Sequence, residues 1–316
     1  MAATADVPFD PSLLRLGPDL RRLGIEPSRQ AWHSVRRGVW VPSSRWASLR
    51  AGQRYEALVH ATVLQCRTPE EVVVAGPSAA ALWGLPRIEP WPDHVVVLDA
   101  EATMGASRFI RPRHGAPVVP MVLRGVRVTP VPRTLADLGS AGTLETAVAA
   151  ADAALRRRLC MLDDLTREVA ALPAGSKGRR KARLMVDLAD GRSGSTGESL
   201  SRVQMFRANL PRPRLQTEFS DAQGRIGFVD FEWQGLIGEF DGRVKDKVPS
   251  DATPQEAGEI VWREKLREDR LRRHKPVTRW VWATAKDTST LARHLMAAGL
   301  RPEPRSTWIP VGQRAS

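Results

Sequence analysis

Between Arg225 and Gly242 the chain reads RIGFVDFEW, Gln234-Gly235, LIGEFDG. Two apolar-rich runs joined by a short Gln-Gly loop read as an antiparallel hairpin. With Gln234-Gly235 as the loop, Trp233 pairs with Leu236. Counting outward sets Asp230 opposite Glu239 and Phe228 opposite Asp241. Directly opposed residues hold their Cβ atoms about 4.5–5.5 Å apart on one face, so the carboxylates of Asp230 and Glu239 are expected to meet. Asp241, two residues past Glu239, returns to that face. Phe231, Phe240 and Ile237 are assigned to the opposite, core-facing side.

Opposed like charges destabilise a sheet, and converging acids raise one another's pKa unless a positive charge lies between them. A hard cation resolves the conflict. Mg²⁺ or Mn²⁺ prefers carboxylate oxygens and can bridge to phosphate. Such an ion polarises a phosphodiester and makes a nucleophile of a bound water. Asp230, Glu239 and Asp241 are therefore the candidate catalytic acids. Glu198, at the start of the preceding helix, is the candidate to complete a metal set with Asp230 and Glu239.

The flanking pattern supports a mixed α/β fold. Gly194, Ser195 and Thr196 offer caps for a helix through ESLSRVQMFRAN, and a strand LQTEF follows Pro213. DATPQEAGEIVWREKLREDRLRRH reads as a helix, VTRWVWA as a strand with Trp280 and Trp282 on one core face, and TSTLARHLMAAGL as a last helix. The long helix interleaves acids and bases, usually a self-paired solvent face. Its basic end makes Arg270 and Arg273 candidates for a phosphate backbone.

At 316 residues the chain exceeds what one core usually organises, so several domains are expected. Residues 1–50 read as a winged-helix-like module: short helices, the last running RQAWHSVRR behind Ser28, then a strand GVWVPSS. Basic Arg36 and Arg37 at the junction are DNA-binding candidates, and the other reading is a helical cap on the next domain. Residues 51–172 alternate helices with strands EVVVAG, HVVVLD, APVVPMVL and VRVTPV as an α/β middle domain. Arg133, Asp137 and Asp152 within it are read as structural ion-pairing groups. Residues 173–194 are a Gly/Ser-flanked basic linker helix, and 195–316 the terminal domain.

A net charge of +13 favours a polyanionic partner, although an arginine-rich proteome gives the same balance. Cys66 and Cys160 are the only cysteines, too few for a disulfide framework or a thiolate zinc site, and the six histidines lack ligand spacing. The N-terminus has no secretory signature and no stretch has the roughly 18 apolar residues that span a bilayer. A cytoplasmic protein without membrane contact is expected.

The order of the Glu198 helix, Val229-Asp230-Phe231, Gly238-Glu239-Phe240-Asp241-Gly242, the Glu264-Lys265 helix and the Trp280 strand resembles the PD-(D/E)xK nuclease superfamily, in the branch related to very-short-patch-repair endonucleases. Over roughly residues 185–300 the resemblance implies a restriction-endonuclease-like αβββαβ core and metal-dependent DNA cleavage, with Asp230 and Glu239 as ligands. The superfamily's lysine falls at Asp241, giving ExD for ExK. Lys245, Lys247 and Lys265 are the candidates for a displaced lysine, with Lys245 taken as the catalytic one. The first 160 residues resemble the AbiEi-like antitoxins and regulators through RRGVWVPSS, SAAALWGL, Val128-Thr129-Pro130 and RTLADL. That resemblance implies DNA binding and a role in phage defence or gene regulation.

Three functions follow: a metal-dependent DNA endonuclease in phage defence or DNA repair; a DNA-binding regulator or antitoxin-like protein with a degenerate nuclease-like domain; or a protein partner in a toxin–antitoxin pair. Nothing in the sequence gives an oligomeric state.

Overall fold

A computed structural model of the chain describes residues 7–27, 31–102, 104–242 and 253–309. Lys245, Lys247 and Ser28 lie outside the described residues. The fold is mixed α/β, as the sequence indicates, and divides into two compact units: Met1–Ala150 with Arg158–Arg183, and Ala151–Arg157 with Leu184–Ser316.

The first unit opens with β1 (Arg15–Leu16), α1 (Gly17–Arg22), the hairpin β2 (Trp32–Arg36) and β3 (Val39–Pro42), α2 (Ser43–Ser48) and α3 (Ala51–Val63). The three strands form one sheet in the order β1-β3-β2. The helix expected through RQAWHSVRR is thus a strand over Trp32–Arg36. Pairing with β3, as in His33 with Val41 and Ser34 with Trp40, overrides weak local helix preference. Phe9, Leu14 and Val39 bury against Ala57 and Ala61 of α3, so residues before and after position 50 share a core.

The unit continues with β4 (Val73–Val74), α4 (Gly76–Leu82), β5 (Val95–Asp99), β6 (Ile110–His114), β7 (Met121–Leu123), β8 (Val126–Val128), α5 (Val131–Ala141), α6 (Leu144–Arg156), α7 (Leu162–Ala170) and α8 (Arg179–Leu188). Its sheet runs β6-β5-β4-β8-β7. β6 is absent from the sequence reading: Pro112 and three basic residues disguise it, and it lies at an edge, where proline is tolerated. The ends of α6 and α8 belong to the second unit.

The second unit is built from α9 (Thr196–Arg207), β9 (Arg214–Asp221), β10 (Gly224–Trp233), β11 (Leu236–Asp241), α10 (Pro254–Arg272), β12 (Val277–Val281), α11 (Trp282–Ala285) and α12 (Thr288–Ala297). The first six elements run αβββαβ, as expected. The sheet is β12-β11-β10-β9, with β11 and β12 parallel across the α10 crossover. α10 starts at a capping box in which Thr253 and Glu256 bond each other's backbone, with Pro254 in the first turn.

α9 lies close against this sheet because Gly197 leaves room for Phe240; a Cβ there would stand 2.0 Å from the ring. Trp280 stacks on Phe231 at 5.2 Å between centroids and donates its Nε1–H to Ser201 Oγ (2.8 Å). Trp282 does not share that strand face: it begins α11 and meets Phe240 edge-on. Ile237 likewise departs from expectation. It is two residues from Glu239, shares its side of the strand, and buries with Leu271 of α10 and Val277. Among the described residues no helix is long and apolar enough to cross a membrane.

Candidate functional site

The β10–β11 hairpin has the expected register, with Trp233 opposite Leu236 and Phe231 opposite Gly238. The ladder then ends. Bonded pairs recur every second residue, so the Phe240 N–H would next belong to the Val229 carbonyl. It donates instead to Asp230 Oδ2 (2.9 Å). The Asp230 carboxylate is thereby held beside the open end of the ladder, and its other oxygen, Oδ1, receives Gln216 Nε2 (3.2 Å).

The same Gln216 nitrogen donates to Glu198 Oε2 at 3.1 Å, and the Gly194 N–H reaches that oxygen at 2.7 Å. Glu198 sits in the first turn of α9, where the helix N-terminus favours an anion, behind a cap in which Ser195 Oγ accepts from the Glu198 N–H. The structure therefore joins Asp230 to Glu198 through Gln216, whereas the sequence set Asp230 against Glu239. Neither Glu198 nor Asp230 has a salt bridge among the described residues, and Arg156 is only a minor positive influence on Glu198. Burial, then the charges of Glu198 and Glu239, push the Asp230 carboxyl up to about 7 against the pull of the Phe240 N–H. Burial raises Glu198 as well, opposed by its hydrogen bonds to Gly194, Ser195 and Gln216.

Glu239 is 7% exposed and differently occupied. Arg267 Nη2 lies 2.8 Å from Oε1 and Arg279 Nη2 2.8 Å from Oε2, so each oxygen has its own guanidinium. Arg279 is brought there by the parallel pairing of β12, which aligns it with Glu239, and it also meets Glu264 (2.9 Å), Glu268 (3.2 Å) and Asp241 (3.6 Å). Asp241 does share the Glu239 face, but both acids belong to this arginine-centred network.

A divalent cation fits the first cluster better than the second. Buried Glu198 and half-buried Asp230 supply two hard oxygen donors that no salt bridge occupies among the described residues, and Mg²⁺ is commonly held by one or two carboxylates plus waters. Gly194 leaves that cradle open: a Cβ there would stand 3.0 Å from Glu198 Oε1 and 3.3 Å from Gln216 Nε2. Glu239 would first have to release two guanidiniums. Among the described residues no group of three or more His, Cys, Asp or Glu is arranged to hold a metal ion, so this site offers a pair of acids where the sequence suggested three.

The basic candidates separate too. Arg270 is committed to Asp221 through two bonds (2.8 and 2.5 Å) and to the Gly224 carbonyl, while Arg273 is exposed. Arg36 stacks 4.5 Å above the Phe109 ring, with its Nε buried and unpartnered; Arg37, at the hairpin turn, is exposed. Lys265 is exposed on α10. Arg133 and Asp137 pair with each other at 3.3 Å, and Arg113 joins Asp137 at 2.9 Å, a structural use. Asp152 is fully buried, bonded by Arg202 Nη1 (2.8 Å), Ser199 Oγ (2.7 Å) and the Asp190 N–H (2.7 Å), and ties α9 to the end of α6.

Gln216, Arg279 and Arg202 escape the sequence reading. The one available signal was polarity at position 216, in a run whose alternation would otherwise be unremarkable.

No family model and no solved structure matches the chain. It is 37% identical over 90 residues to two uncharacterized proteins of Mycobacterium tuberculosis, one from strain CDC 1551 / Oshkosh and one from strain ATCC 25618 / H37Rv. The match covers 28% of this chain and 33% of each of those proteins, so it spans about a third of the length of these relatives.

Proposed function

We propose that the second unit is a divalent-cation-dependent DNA endonuclease of the PD-(D/E)xK type, acting in the cytoplasm, with exposed Arg37 at the β2–β3 turn of the first unit contributing DNA contacts. The observation that carries this reading is the pair of buried Glu198 and half-buried Asp230, bridged by Gln216 and held in no salt bridge among the described residues, with Arg156 acting on Glu198 only weakly. The αβββαβ order and the position of Asp230 within it support the reading, whereas the resemblance names Glu239 as the second ligand and Glu198 takes that place here. Glu198 and Asp230 would hold Mg²⁺ or Mn²⁺. When bound, the ion supplies polarisation of the scissile phosphodiester and an acidified water. Glu239 and Asp241, fixed by Arg267 and Arg279, define the neighbouring wall of the site. Of the four arginines the sequence nominated, Arg273 and Arg37 are exposed and available to phosphate.

The guanidinium clamp on Glu239 and the aspartate at 241 favour a second reading, a DNA-binding regulator that keeps the scaffold without the chemistry. One assay separates them. Purified protein with supercoiled plasmid and Mn²⁺ should nick the DNA, and EDTA or Asp230→Ala should abolish nicking. Plasmid binding without cleavage by the unaltered protein overturns the nuclease reading and leaves the regulator.

A further inference from the structure

Gln216 has φ of 49° inside strand β9, a left-handed conformation that non-glycine residues seldom adopt. Such backbone persists only where its surroundings hold it, and it gathers at functional sites. β9 leaves extended geometry at the one residue whose side chain hydrogen-bonds both Glu198 (3.1 Å) and Asp230 (3.2 Å) among the described residues. Gly194, packed over the same carboxamide, keeps the space above it free of a side chain.

A carboxamide carries two donors and an acceptor on one planar group. With its NH₂ toward the acids it donates to both carboxyl groups; after a half turn about its last torsion it offers a neutral oxygen, a donor that Mg²⁺ and Mn²⁺ accept. We infer that Gln216 is the third protein ligand of the cation site, holding Glu198 and Asp230 through Nε2 while they are cation-free and presenting Oε1 once an ion is bound. The inference rests on the cation site of the nuclease reading and adds to it a neutral ligand from β9. A salt bridge could not serve both states, because a lysine or arginine at 216 would compete with the ion. A carboxamide neutralises nothing and leaves the charge of the pair for the cation.

Isothermal titration of Mn²⁺ into the full chain tests it, with Gln216→Gly and Gln216→Glu beside the unaltered protein. Glycine takes the left-handed conformation freely, so Gln216→Gly removes the carboxamide while suiting the backbone. Glutamate is nearly isosteric and supplies a charged oxygen in its place. Gln216→Gly is expected to weaken Mn²⁺ binding about tenfold or more, and Gln216→Glu to tighten it by a similar factor. Should Gln216→Gly fail to fold by circular dichroism, Gln216→Glu decides alone. Clear Mn²⁺ uptake by the unaltered protein with unchanged affinity in the variants overturns the role of Gln216 and spares the cation site. Absence of uptake by the unaltered protein overturns both.

Discussion

Asp230 is the residue on which the proposed chemistry rests, and its environment gives it a measurable signature. Burial and the neighbouring Glu198 and Glu239 charges raise its carboxyl to about 7, whereas an unfolded aspartate titrates near 3.9. Between those values the folded chain keeps a proton that the unfolded chain has lost. The group therefore favours folding at low pH, and that contribution is lost as pH rises through about 7. Cation-free protein unfolded in urea at a series of pH values from about 4 to 8 should lose stability upward across this window. Asp230→Asn, which keeps an acceptor for the Phe240 N–H, should flatten the loss; equal slopes in both proteins would refute the assignment. Mn²⁺ uptake should strengthen as pH rises through the same range, because an ion there competes with the Asp230 proton.

α9 is the element that turns this residue chemistry into a site. It carries Glu198 at its first turn, touches Phe240 through Gly197, and is anchored by the fully buried Asp152–Arg202 pair. Asp152→Ala would leave the Arg202 guanidinium buried without its counter-charge, a loss of about 3–5 kcal/mol in urea unfolding. Asp152→Ala combined with Arg202→Leu should recover much of that loss, since no unpaired charge is left. Gly197→Ala forces a methyl into the Phe240 ring and should cost about 1–3 kcal/mol, together with cleavage, because it displaces the helix turn that holds Glu198.

What the sequence made legible at this scale is local. The two-residue loop fixed the register of β10 on β11, and Thr253, Pro254 and Glu256 announced the start of α10. What it hid is non-local. A parallel partner returns only after a crossover helix, so nothing near Glu239 in sequence signals that β12 brings Arg279 beside it. The link of Asp230 to Glu198 was equally hidden, because it depends on a ladder that ends at Phe231–Gly238 and on the left-handed backbone of Gln216. In β2, Trp32 and Val35 favour a strand but His33, Ser34 and Arg36 do not, so the strand is settled only when β3 pairs with it.

For the whole molecule, the charge of +13 is the property the fold distributes between two compact units. The second unit ties much of its arginine internally, as Arg202, Arg267, Arg270 and Arg279 show. DNA affinity is expected to depend on exposed residues such as Arg37 and Arg273. Arg37→Ala should weaken binding of unrelated duplexes alike and reduce the slope of log affinity against log salt by about 1. An unchanged slope would remove the hairpin from the DNA interface. The most direct measurement is a crystal structure of the protein soaked in Mn²⁺ with data collected at an anomalous wavelength. An anomalous peak within ligand distance of both Glu198 and Asp230, with Glu239 still held by Arg267 and Arg279, is the expected result. A peak on Glu239 and Asp241 with those arginines displaced, or no peak at the Glu198–Asp230 pair, would contradict the account.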